Sequence, residues 1–550
     1  ILKIEILGYQ HNDKFNQALD HWRNLLFDAK GTITLEYPAN SGSAFKFKLR
    51  CAPGFAQIGA RVVSNPVRIS NNILPVISQV GIQIPEPSLL FSSGNSSQYL
   101  KDTHPLRGLR VHKPFDYSLT TQGVAPSIRL GVVCPNSEAQ IVSQYLYQSG
   151  QTKTPNKTEM DYLIEYPGFQ QSFGLPLEIP RPGDSVWAIC PEPRNQGDAK
   201  KSSLELATFI TRSIESIVAA EKPHVVIVFI PNRWSAFREY QDENESFDLH
   251  DFVKAYCAQK GIATQFLEQD TLNSNQQCRV WWWLSVGLYA KSMRTPWVLD
   301  SLDKNAAFVG LGFTTDYHSQ KGQHVVMGCS HLYNAQGEGL QFRLSKIENP
   351  IFRHRRPHMS YEDARHLAEN IRQLFFESQL RLPPRVVIHK QTPFLIDEKN
   401  GLLDGLSGVG VVDLIEITED RALRYVSSLI KSDGKFGGDN FPVRRGTVVQ
   451  LSQREALVWC HGVTDAVKQG WRYFQGKRHI PAPLHLKRHA GTSDLETLTA
   501  EILGLSKMDW NSGDMYSKMP TTIYSSKQIA RIGAKLQRFG PVSYDYRLFM

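Results

Sequence analysis

HVVIVFIP, residues 224–231, constrains the fold of this chain more than any other stretch. Its fully apolar run is what a strand inside a covered sheet requires. On one side of it lies a second such strand, SIRLGVVC (127–134), followed by a helical stretch around 138–148. On the other side come a helix (SFDLHDFVKAYCAQKG), a strand (IATQFL) and another helix (CRVWWWLSVGLYAKSM). Strands and helices alternating at this length predict a parallel, doubly wound α/β sheet.

A second series begins near residue 306. AAFVGLGF (306–313), HVVMGCSH (324–331) and LQFRLSK read as strands, and SYEDARHLAENIRQLFFESQL as a helix before the strand VVIHK. TVVQLS, ALVWCH and two C-terminal helices complete a mixed α/β region. The first 80 residues combine a helix (FNQALDHWRNLLFDA) with strand-like TITLEYPA and AFKFKLRC, and carry no chemical motif. Pro85 and Pro87 make IPEPSLLF an extended connector rather than a helix. At 550 residues the chain exceeds one compact core, so two to four domains are expected.

Composition then narrows the functional classes. The net charge of +9 favours a polyanionic partner. Seven cysteines stand singly, without CxxC, which excludes a disulfide scaffold or a zinc ribbon and suits a reducing cytoplasm. No apolar run approaches the roughly 20 residues that span a bilayer. Neither nucleotide-loop fingerprint, GxGxxG or GxxxxGK[ST], is present. The start, ILKIEILGYQ, lacks an initiator Met and a signal-peptide pattern, which reads as a truncated beginning.

In the first α/β series, His250 and Lys254 are four residues apart on one helix and share a face. Gln265 ends the next strand and Lys291 lies in the last turn of the following helix. In a doubly wound fold such positions converge on one crevice, where ammonium, imidazole and amide groups bind phosphate. The alternative is a solvated helix face with a Lys complementing the helix dipole.

This series, with HVVIVFIPNRW before it, resembles the MID domain of prokaryotic Argonautes. IPEPSLLF and HPLRGLRVHKPFD resemble the lead-in to the MID domain of the short members; RRGTVVQLSQREALVWCHG, IPAPLHLKRHAG, LSKMDWNS and MPTTIYSS resemble their PIWI domain. The resemblance covers about residues 82–550. It implies a Rossmann-like MID domain over 82–295, with a lead-in over 82–125, followed by a ribonuclease H-like PIWI domain over 296–550. Residues 1–81 would be a linker or the tail of an APAZ-like region. His250, Lys254, Gln265 and Lys291 would hold the 5′-phosphate of a guide, and the carboxylate of Met550 would close the pocket with a Mg²⁺ between the two anions.

The same resemblance places a two-metal nuclease site in PIWI, which needs its carboxylates. Here the positions fall on Gly312, Gln391 and Ser526, and only Glu338 remains acidic. The displaced carboxylates Asp316, Asp397 and Glu398 could restore the site only through two independent shifts of geometry. The implied protein is a catalytically inactive short Argonaute; a guide-dependent slicing nuclease is the alternative. The partners implied are a 5′-phosphorylated guide RNA, complementary single-stranded target DNA, and an effector, fused or APAZ-containing, with a TIR, sirtuin-like or nuclease domain, acting in cytoplasmic defence and not at a membrane. Arg343 and Lys346, FRHRRPH (352–358), Arg444 and Arg445, and Lys487 and Arg488 are candidate contacts to nucleic-acid backbone. WWWL (281–284) suggests base stacking, but a helix fans three consecutive Trp around about 200°, so core packing takes at least two.

Overall fold

The computed structural model describes residues 32–38, 44–50, 63–64, 81–94, 98–156, 162–194, 198–241, 246–300, 303, 306–316, 324–333, 341–353, 356–420, 428–430, 436–438, 443–467, 481–533 and 543–550. Two compact units divide the chain: 1–86 with 416–488 and 493–503, and 87–415 with 489–492 and 504–550.

Two large sheets of the larger unit matter to function, beside smaller two- and three-stranded ones. In the first, β1 (Ile128–Cys134), β2 (Val225–Ile230) and β3 (Ala263–Glu268) are parallel, with β2 in the middle. All six residues of β2 are buried, as its unbroken apolar run requires. Helix α1 (Ala199–Ala220) covers one face. Its Leu206, Ile210, Ile214 and Ile217, spaced at three and four, pack with Val226, Val228 and Ile230. Helix α2 (Leu249–Gln259) starts at Asp248, whose carboxylate accepts the Asp251 N–H, and α3 (Gln277–Lys291) follows β3.

The second sheet opens with an antiparallel meander of β4 (Ala306–Asp316), β5 (His324–Tyr333) and β6 (Gln341–Ile347). After helix α4 (Tyr361–Gln379), strand β7 (Arg385–Lys390) returns parallel to β4, with Ala306 opposite Arg385 and Leu311 opposite Lys390. Helix α5 (Ile396–Gly405) comes next. The α4 residues Leu367, Ile371 and Phe375 share a core with Val309, Leu311, Val386, Ile388 and Leu402. Three antiparallel strands with a parallel fourth beside the first is the ribonuclease H order, and the fold class expected from the sequence is the one observed.

In the smaller unit, Thr447–Gln450, Glu455–Val458 and Leu484–Ala490 run antiparallel, and Ile82–Gln83 pairs with the first of them. The strand-like TITLEYPA and AFKFKLRC form the hairpin Thr32–Pro38 with Ala44–Arg50. The helix expected over FNQALDHWRNLLFDA lies outside the described residues. No described helix is long and apolar enough to cross a membrane.

Candidate nucleic-acid interface

The four residues singled out in the first α/β series come together. Lys254 (α2) and Lys291 (the last turn of α3) are 1% and 2% exposed. The Lys254 ammonium donates to the Thr264 main-chain oxygen at 2.7 Å and to the main-chain oxygen of Met550. Lys291 donates to Gln265 Oε1 at 2.5 Å, and Gln265 Nε2 donates to the Phe266 carbonyl at 2.9 Å. His250, one helical turn before Lys254, stands at the rim with its ring against Phe266. Its Nδ1 lies 3.2 Å from Asp251 Oδ1, an oxygen also held by Arg531 at 3.0 Å.

Burying two neighbouring cations is costly, because each loses hydration worth several kcal/mol. Burial lowers Lys254 to about 8. Burial, then the neighbouring Lys254 charge, holds Lys291 well below the ordinary lysine range. Burial also lowers His250. Among the described residues, the oxygens that accept from these ammoniums are those of Met550, the Thr264 carbonyl and the Gln265 amide. The Asp251 carboxylate also acts on Lys254 but is shared with Arg531, so cations outnumber anions here and the pocket suits an anion. The donor set does not suit a resident Mg²⁺: the oxygens of Gln265 and Met550 already accept from Lys291 and Lys254, and both ammoniums would repel a dication. Asp248, His250 and Asp251 do bring ligand atoms within 4.8 Å of one another. Asp248 is occupied capping α2 and Asp251 is bonded to Arg531, which explains that cluster without a metal.

Around Gly312, inside β4, the structure is closed. A Cβ built on Gly312 would lie 2.3 Å from the carbonyl oxygen of Ser526, on helix α6 (Thr521–Gly533). The backbone of α6 fills the space where a carboxylate at 312 would project. Ser526 is fully buried and donates its hydroxyl to the Ile523 carbonyl at 3.1 Å. Gln391 contacts the Met519 sulfur at 3.9 Å. Glu338 and the side chain of Asp316 lie outside the described residues. Asp397 is exposed on the first turn of α5. Glu398 is fully buried and bonded at 2.5 Å to Lys390, itself fully buried, whose ammonium lies over the rings of Phe313 and Phe394. Burial raises the Glu398 carboxyl, but His358 and Lys390 outweigh it and leave it below its usual range. His389 is buried against the Thr522 hydroxyl, and burial pushes it down to about 3, so it stays neutral.

The candidate backbone contacts separate. Arg343 and Lys346 lie on β6, opposite Cys329 and Val326, with their side chains outside the described residues. Arg444 is exposed, 3.8 Å from Asp465. Arg445 does not face solvent as expected: it is 3% exposed, holds both Glu86 oxygens at 3.1 Å, and donates to the carbonyls of Cys460 and Leu503. Lys487 is half-exposed and pairs with Glu455 across the strands at 3.0 Å. Arg488 donates to the carbonyls of Ser493 and Gln453, tying two loops to its strand. Trp281 and Trp282 are fully buried, stacking and edge-packing on Tyr166, and Trp283 is wedged against Gly513. The triple Trp is therefore packing. Sequence reasoning missed Arg531, which reaches Asp251 from far along the chain, and the Lys390–Glu398 pair, whose eight-residue spacing across a strand end and a loop matches no helix or strand period.

No family model matches the chain. Protein argonaute of Aquifex aeolicus (strain VF5) is 23% identical over 316 residues, covering 56% of this chain and 38% of that protein. Among solved structures, Clostridium butyricum Argonaute bound to a guide DNA and a 19-mer target DNA matches with a TM-score of 0.57 at 16% identity, over 86% of this chain and 55% of its own. Drosophila Piwi matches with a TM-score of 0.56 at 12% identity, over 85% and 55%. The crystal structure of A. aeolicus Argonaute gives 0.53 at 16%, over 85% and 55%. The chain thus spans about half or less of the length of these proteins. An Argonaute relative in sequence, and an Argonaute fold over most of the chain, make this protein an Argonaute homologue.

Proposed function

We propose that the chain is a guide-directed recognition module of the short prokaryotic Argonaute type, without nuclease activity of its own. The observation that carries this reading is the pair of buried ammoniums, Lys254 and Lys291, which among the described residues donate to the Met550 and Thr264 main-chain oxygens and the Gln265 amide, while the nearby Asp251 carboxylate is shared with Arg531. A 5′-phosphate, dianionic at neutral pH, supplies the missing charge and accepts from both lysines and from His250. A Mg²⁺ would enter only together with that phosphate, whose oxygens would add ligands to that of Met550. The relative captured with a guide DNA and a target DNA supports reading the larger partner as a paired duplex. Sequence is then read by base pairing, with the protein gripping backbone and shape.

The packing at Gly312 and the pairing of Glu398 support inactivity. Gly312 admits no side chain, and Glu398 is consumed by Lys390. Catalysis in this reading belongs to an associated or fused effector, an NAD-hydrolysing or nuclease domain released by target pairing in cytoplasmic antiviral or anti-plasmid defence.

The test is a cleavage assay. The protein is loaded with a 5′-phosphorylated RNA guide and given labelled complementary single-stranded DNA with Mg²⁺ or Mn²⁺. The reading expects a stable complex with intact target. A discrete product opposite the middle of the guide would establish slicing with displaced ligands instead.

A further inference from the structure

His250 has two ring nitrogens, and the fold commits one of them. Its Nδ1 lies 3.2 Å from Asp251 Oδ1, on a side chain that is 4% exposed. Arg531, reaching from α6, holds the same oxygen at 3.0 Å. A carboxylate paired with a guanidinium only accepts, so the proton of the His250 bond sits on Nδ1. In a neutral imidazole that placement leaves Nε2 bare, able to accept and unable to donate. Among the described residues Nε2 makes no hydrogen bond. A terminal phosphate dianion is itself an acceptor. Two acceptors do not bond, so the ring needs a second proton before it can grip a phosphate.

The surroundings keep that second proton off until an anion arrives. The charged groups facing the ring are Asp248, Asp251 and Lys254 of α2 and its cap, with Arg531 of α6 behind Asp251; from β3 the neighbour is the Phe266 ring. Burial lowers the imidazole below its ordinary value, and the Asp251 bond offsets this only in part, so the ring is neutral in the empty pocket at pH 7.5. A dianion beside Nε2 favours the charged ring, which couples the phosphate to a proton. We propose that Asp251, anchored by Arg531, is a positioning residue that holds the His250 proton on Nδ1, so that the pocket takes a terminal phosphate only together with a new proton on Nε2. The inference rests on the guide-binding reading above.

The test uses the full chain with isotope-labelled histidine and one RNA guide sequence, 5′-phosphorylated or 5′-hydroxyl. The His250 signal is the one lost in His250→Asn. At pH 7.5 its nitrogen chemical shifts should show a neutral ring protonated on Nδ1 in the empty chain and with the hydroxyl guide. With the phosphorylated guide both nitrogens should be protonated. An empty ring with its proton on Nε2, or a ring that stays neutral against the phosphate, overturns the proposal. These spectra need no change at Asp251, so they decide it even if a variant there unfolds. In Asp251→Asn, Arg531 takes the amide oxygen and the amide NH₂ can donate to Nδ1, which frees a neutral ring to donate from Nε2. The ratio of hydroxyl to phosphate Kd between pH 6.5 and 7.5 should then fall less steeply than in the wild type, by about one proton, or about tenfold per pH unit. Proton uptake by Lys254 and Lys291 is common to both chains and cancels in this comparison. Equal slopes, with both guides merely weakened, leave Asp251 a structural residue and overturn the proposal. Wild-type protein that binds the two guides alike defeats the underlying reading instead.

Discussion

Raising the pH from 7 to 9 should strip the chain of its preference for phosphorylated guides. In the empty pocket, burial holds Lys254 at about 8, against an ordinary value of 10.5. A folded-state value below the unfolded one means that the folded chain holds fewer protons between those two values. Stability of the empty protein therefore rises with pH across about 8 to 10.5, as the buried ammonium is relieved of its charge. Phosphate binding works in the opposite direction, because a dianion beside Lys254 restores its proton. Lys254 is about nine-tenths protonated at pH 7 and about one-tenth at pH 9, so binding weakens about tenfold from this group alone, or about 1.4 kcal/mol. Lys291 is likewise held well below the ordinary lysine range by its burial and the neighbouring Lys254 charge. The phosphate does not confound the measurement, since its second pKa lies near 6. The assay is the ratio of Kd values for 5′-hydroxyl and 5′-phosphorylated guides of one sequence, at constant ionic strength. The ratio should shrink at least tenfold over this range, and Lys254→Gln should remove the part due to Lys254. A ratio that stays constant, or grows, refutes the assignment of these lysines to the phosphate.

Three further outcomes follow from the packing. Gly312→Asp should not restore cleavage in Mg²⁺ or Mn²⁺, and should lower stability by roughly 1–3 kcal/mol or more in a denaturant melt, because its Cβ meets the Ser526 carbonyl at 2.3 Å. Lys390→Met should cost about 3–5 kcal/mol by leaving the Glu398 carboxylate buried and unpaired, while Lys390→Met with Glu398→Gln should cost less, as read by the same melt. Arg445→Ala should destabilise by about 3 kcal/mol through its lost bonds to Glu86, Cys460 and Leu503, yet leave the salt dependence of target binding unchanged.

How much was legible beforehand depended on whether a feature is local. Six buried residues in a row announced β2, and the same kind of run announced β7. That His250, Lys254, Gln265 and Lys291 come together was legible because the i, i+4 spacing of the first two and the strand–helix order fix where the other two arrive. Helix α1, the longest in the larger unit, was not read: its buried face includes Ser202, Ser203, Thr211 and Ser213, which blur the apolar period. Arg444 and Arg445 read as one basic patch, but one side chain turns outward and the other inward to Glu86. Glu398 looked like a spare metal ligand because its bond to Lys390 closes a loop between strand and helix that no periodic spacing reveals. The obstruction at Gly312 is likewise a matter of helix α6 lying on β4, which follows from tertiary packing alone.

The central claim is that Lys254 and Lys291 form a receptor for a terminal phosphate. The measurement that tests it most directly is equilibrium binding of one guide sequence, with a 5′-phosphate and with a 5′-hydroxyl, to the wild-type chain and to Lys254→Ala/Lys291→Ala. The account predicts that the wild type binds the phosphorylated guide far more tightly, and that the double variant binds both guides as weakly as the wild type binds the hydroxyl form. Equal affinities for the two guides in the wild type, or a phosphate preference that survives the double substitution, would contradict it.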